Sequence, residues 1–202
     1  MKKQKRSITS EYIYANRIRL ITAIICVTAG VLAGCGVFLF SNSSDEIYAR
    51  LSQMINSLTG ACAKEVFFEA LKENALVCAV FYIFSLFAIG EFLSFGYVVV
   101  RCVAYGFCAC LVMRAYGSGG ILLTALGLMP QMILYICGLV IFSIETSKQC
   151  RFIGGCFDKN LRRRSFVTYF AVSLLPALLL FGGCLVEGFA APHIILWCLK
   201  KI

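Results

Sequence analysis

Charge is scarce in this chain. Only 14% of its 202 residues are Asp, Glu, Lys or Arg, against 60% hydrophobic side chains, and the mean hydropathy is +0.86. A soluble domain carries about a quarter charged residues, so this shortage excludes one and makes the chain an integral membrane protein. Catalytic signatures are also missing: there is no HExxH, no GxSxG, no phosphate-cradling glycine loop with a lysine, and no pair of intramembrane aspartates. The sequence therefore reads as a protein that is not an enzyme. No CxxC occurs and His193 is the only histidine, so no zinc site and no cofactor are expected. Five acids in residues 41–74 (Asp45, Glu46, Glu65, Glu69, Glu73) raise carboxylate-driven glycan cleavage. They sit on short amphipathic stretches with no cleft to grip a polysaccharide, and they read as solvated faces.

What charge there is has a pattern. The formal charge of +9 comes from basic residues beside apolar runs, where they set topology and touch anionic lipid; no nucleic-acid partner is expected. Most of the twelve cysteines fall within apolar runs and read as small filler, as a reducing or anaerobic setting allows. Cys62 is the one placed firmly outside.

A helix needs about 20 apolar residues to cross a hydrocarbon core. On that measure the chain divides into a basic cytoplasmic N-terminus (1–19), a first span (20–40), an extracytoplasmic amphipathic helical segment (41–74), spans at 75–90, 92–113 and 121–144, a basic cytoplasmic loop (145–165), a fifth span (166–186) and an interfacial or extracytoplasmic tail (187–202). The fold class is all-α: a polytopic membrane helix bundle of about five transmembrane helices. An even number of crossings between the N-terminus and the Arg162, Arg163 and Arg164 loop puts both basic segments on one side, as the positive-inside rule expects. In the outer segment Ser43 and Glu46 match a capping box, and Ile47, Leu51, Met54, Ile55 and Leu58 share one helical face. A second stretch carrying Phe67 and Phe68 leads into the next span. These seven apolar residues are the candidate partner-docking face.

Within the spans three features stand out. Arg101 is costly in hydrocarbon and must pair, snorkel or line a wet path; Glu91 and Glu145 are the partners considered. Pro130 with Gln131 marks the fourth span as irregular, since proline frees a backbone carbonyl of the preceding turn. The stretch LAGC (32–35) matches a lipobox, but five more apolar residues follow Cys35 where a lipoprotein would have a polar tether. The better reading is a full span of helix whose Gly30, Gly34 and Gly36 let another helix approach closely; a homo-oligomer is left open.

Several of these stretches carry a resemblance: KEVFFEALKENAL (64–76), FAIGEFLSFG (87–96), VRCVAYG (100–106), LGLMPQMILYICGL (126–139) and VEGFAAP (186–192). Together they resemble the stage II sporulation protein M family over nearly the whole chain, departing at Met132, where an amide residue is expected. The resemblance implies a polytopic protein of the mother cell membrane, on that side of the sporulation septum. There it would hold a cell-wall amidase and a lytic transglycosylase that remodel septal peptidoglycan during engulfment, without being a hydrolase itself. It also implies that 41–74 is the contact surface and that Arg101 is the family's basic residue in the third span. The other reading is a small permease or accessory membrane subunit of a transporter.

Overall fold

The computed structural model of the chain describes residues 15–40, 63–155 and 158–199. Ile47, Leu51, Met54, Ile55, Leu58 and Cys62 lie outside them. The described residues are helical throughout: α1 (Arg17–Phe40), α2 (Ala63–Phe84), α3 (Gly90–Leu123), a π-helical turn (Thr124–Leu128), α4 (Met129–Gly155), α5 (Lys159–Leu185), a second π-helical turn (Val186–Ala190) and α6 (Ala191–Leu199). Three stretches are long and apolar enough to cross a membrane: Arg17–Phe40, Gly90–Gly155 and Asn160–Cys198. Arg19, Glu91 and Arg151 mark one end of the bundle, called here the basic end; Phe40 marks the far end.

Parallel packing of α1 on α3 is set by glycine. A Cβ on Gly30 would stand 2.7 Å from the Val99 carbonyl oxygen, one on Gly34 would run into that of Val103, and one on Gly106 would come within 2.5 Å of that of Val31. The two backbones thus touch directly, which is how membrane helices associate when apolar surface alone gives no advantage over lipid. Cys35 lies in this seam, its thiol 4.0 Å from the Gly106 carbonyl. Gly36 does not belong to the seam: nothing lies within 4 Å of its Cβ position. Two residues past Gly34 is about 200° around a helix, so Gly36 points away from α3.

Between residues 90 and 155 the helical path reverses once, at Gly117. Its φ of 55° and ψ of −127° are open to glycine and strained for any other residue. Beyond it Gly120 packs back on Val112 and Met113. The returning rod runs through the first π turn into α4 and pairs antiparallel with α5, as Gly138 against Pro176 and Leu180, and Thr146 against Tyr169, record.

The irregularity expected at Pro130 takes a definite form. The π turn Thr124–Leu128 ends two residues before Pro130, and the turn Val186–Ala190 ends two residues before Pro192. In each, the next N–H reaches back five residues: Met129 to the Thr124 carbonyl, Ala191 to that of Val186. A proline ring clashes with the carbonyl four residues earlier. Widening the turn just ahead of it relieves the clash and keeps the helix whole. The tail after Glu187 is therefore no separate element; it continues α5 and packs Ala191, Ile195 and Cys198 on Val112 and Leu123.

Helix α2 runs antiparallel to α1 and closes the core. Phe81 is fully buried, stacked on Phe142 with centroids 4.8 Å apart, and Tyr82 meets Tyr169 and Ser173 of α5. No backbone break separates 41–74 from 75–90, because α2 passes unbroken through residue 74.

Candidate functional site

Two polar regions sit at different heights. At the basic end the α2–α3 turn brings Glu91 under α4. Arg151 donates to both its carboxylate oxygens, each at 2.8 Å, and the Ser147 hydroxyl donates to Oε1 at 2.9 Å. Arg19 of α1 donates to Ser147 at 3.1 Å. Close approach here needs Gly90, whose Cβ would collide with the Phe84 carbonyl; the Cys150 thiol donates to that same oxygen at 3.4 Å. Glu145 pairs with Lys148 at 2.7 Å. Arg162, Arg163 and Arg164 stand exposed in the first turns of α5.

Arg101 is elsewhere. Ten residues along α3 from Glu91, it lies about 15 Å away by helical rise, beyond a side chain's reach, so neither Glu91 nor Glu145 is its partner. The partner is Glu73 of α2, at 3.8 Å. Tyr97 adds its hydroxyl, which accepts from Arg101 Nε at 3.2 Å, and its ring, whose centroid lies 5.8 Å from the guanidinium carbon.

Behind this pair, Tyr135 of α4 donates to Glu187 at 2.6 Å and stacks on Tyr105 with centroids 6.5 Å apart. Asn74 donates to the Cys184 sulfur at 3.4 Å. Glu187 lies within electrostatic reach of both Arg101 and Glu73, so one guanidinium faces two carboxylates. The second π turn places Glu187 there. Glu69, Lys72, Glu73, Leu76 and Arg101 line a groove of about 620 Å³ that opens beside α2. Glu73 is 72% exposed in it.

Sequence reasoning singled out Arg101 and missed its setting. Glu73 and Glu187 were read as part of the outer segment and the tail, and Tyr97, Tyr105 and Tyr135 as ordinary span residues. A signal for Glu73 was available: Lys72 and Glu73 lie less than four helical turns from Phe84. Gln131 is buried one turn before Tyr135, its Oε1 without a partner among the described residues. Pro130 is exposed. Phe67 is not a docking residue. It packs on Gly188 and makes ring contacts with Phe181 and Phe189, because it lies on the inward face of α2. Phe68, the next residue, is 63% exposed. All ten described cysteines are free thiols, and no group of three or more metal-ligating side chains occurs among the described residues.

An all-helical bundle with long apolar helices, glycine-sealed contacts and charge gathered at one end defines an integral membrane protein. Comparison with known families is specific: the family model described as stage II sporulation protein M matches residues 20–192. The chain belongs to that family, and is a sporulation membrane protein. Neither the curated proteins nor the solved structures compared with it give a match.

Proposed function

We propose that this protein is a non-catalytic membrane scaffold that holds septal peptidoglycan hydrolases, an amidase and a lytic transglycosylase, in place during engulfment. Family membership over residues 20–192 carries the reading. The form of α2 supports it: Lys64, Glu65, Phe68 and Glu69 are exposed at its far end, offering a charged and aromatic surface continuous with the amphipathic 41–62 sequence. The N-terminus and the Arg162 to Arg164 turn lie in the cytoplasm under the positive-inside rule, which sets the far end outside, on the side of the wall.

A permease is the second reading, favoured by the charged groove that reaches Arg101. Deleting the gene in its host separates the two. A scaffold leaves membrane migration around the forespore arrested and solute uptake normal. Normal engulfment with altered uptake overturns the proposal. Capture of the tagged protein from sporulating cells, through a thiol crosslink at Cys62, should recover a wall hydrolase; recovery of an ATPase subunit alone favours transport.

A further inference from the structure

The surface of a membrane protein at mid-depth must be apolar wherever lipid touches it, since an exposed charge in hydrocarbon costs several kcal/mol. Exposed residues of α1 and α5 obey this: Leu32, Val37, Leu39, Val167, Phe170, Leu174 and Leu178. Helix α2 does not. Glu69, Lys72 and Glu73 are exposed on it, and Glu73 pairs with a residue about halfway along the bundle. The exposed arginines elsewhere, Arg17, Arg114, Arg151 and Arg162 to Arg164, lie toward the ends.

We infer that this face of α2 is covered by the same face of a second copy, making a two-fold dimer. Three features of the face point to a copy of itself. First, its charges balance: Glu69 and Glu73 against Lys72 and Arg101, so it is complementary to itself as an isologous contact requires. Second, Glu69 and Lys72 are i and i+3 on one helix. With two copies side by side and parallel, each Glu69 lies about 4.5 Å in height from the partner's Lys72, within the span of a lysine side chain. Third, the stripe continues below the charges as Leu76, Ala79 and Ile83, at i+4, i+7 and i+11 from Lys72. Leu76 is 63% and Ile83 53% exposed, and Ala79 is small enough for close approach. Residues 41–62 join α1 and α2 at the far end, one turn and more above Lys72, and their polar composition does not suit the Leu76 to Ile83 stripe.

Charge reversal in trans tests this on the full chain in lipid nanodiscs. The wild type should give dimers by light scattering. E69K and K72E each set like charges opposite one another twice, and each should associate at least about tenfold more weakly. Co-expressed with different tags, E69K and K72E should recover each other as heterodimers, because both contacts are then of opposite charge; this also shows that each variant folds. A monomeric wild type, as expected if residues 41–62 or a different protein cover the face, overturns the inference. So does dimerisation of the single variants at wild-type strength, or failure of the mixed pair to associate.

Discussion

The basic end and the middle of this bundle use the same residue types to different effect. Glu91 is held by three hydrogen bonds of 2.8 to 2.9 Å from Arg151 and Ser147, and Ser147 is tied in turn to Arg19; α1, α3 and α4 are thereby fixed to one another. Arg101 and Glu73 stand 3.8 Å apart beside an open groove. What separates them is the packing of the surrounding backbone. Around Glu91 the chain is drawn in, with Gly90 against Phe84 and buried polar side chains at Ser143, Thr146, Ser147 and Gln149. Glu73 sits on the outer side of α2, where the described chain provides no second layer. A closed network makes the bundle one body, and an open one leaves charge for something else to meet.

The sharpest break of this contrast is Gly90→Ala. Its methyl group would collide with a main-chain oxygen, which cannot rotate aside as a side chain can, and a loss of about 3 kcal/mol or more is expected. The yield of monodisperse protein in detergent should fall to a small fraction of wild type. Glu91→Gln should cost about 2 kcal/mol by removing charge-assisted hydrogen bonds, read as a lower thermal unfolding midpoint. Tyr135→Phe should cost about 1 kcal/mol. A double-mutant cycle with Glu187→Gln should attribute most of that to the shared bond, and a coupling near zero would show that Tyr135 acts through packing alone. Smallest is Glu73→Gln, expected below about 1 kcal/mol because the pair is loose and exposed. Equal losses from Glu73→Gln and Glu91→Gln would erase the distinction.

Long-range pairing was the part the sequence hid. The first span, the Gly117 reversal and the seam at Gly30 and Gly34 are all local: apolar length, a glycine run and a four-residue repeat set them, and each is visible in the order of residues. Arg101 was visible too, since charge in an apolar run needs a reason. Its partner was not, because Glu73 reaches it from a helix running the other way, and nothing in the chain's order says which of several carboxylates an antiparallel neighbour presents. Phe67 and Phe68 show the same limit at one-residue scale. Both are phenylalanines in one apolar pair, and only the rotation of α2 against the second π turn turns one inward and leaves the other out.

Those π turns bear on how the sequence tolerates change in length. Each holds its helix together ahead of a proline by accommodating one residue more than a regular turn, and so fixes the angular phase of everything that follows. Removing a single residue from 124–128 would swing the rest of α4 by about 100°. Tyr135 would leave Glu187 and Gly138 would leave Leu180, while the overall hydropathy of the span would barely change. Homologous chains should therefore conserve the spacing from turn to proline more strictly than the apolar residues between, and a one-residue deletion there should be worse tolerated than most substitutions nearby.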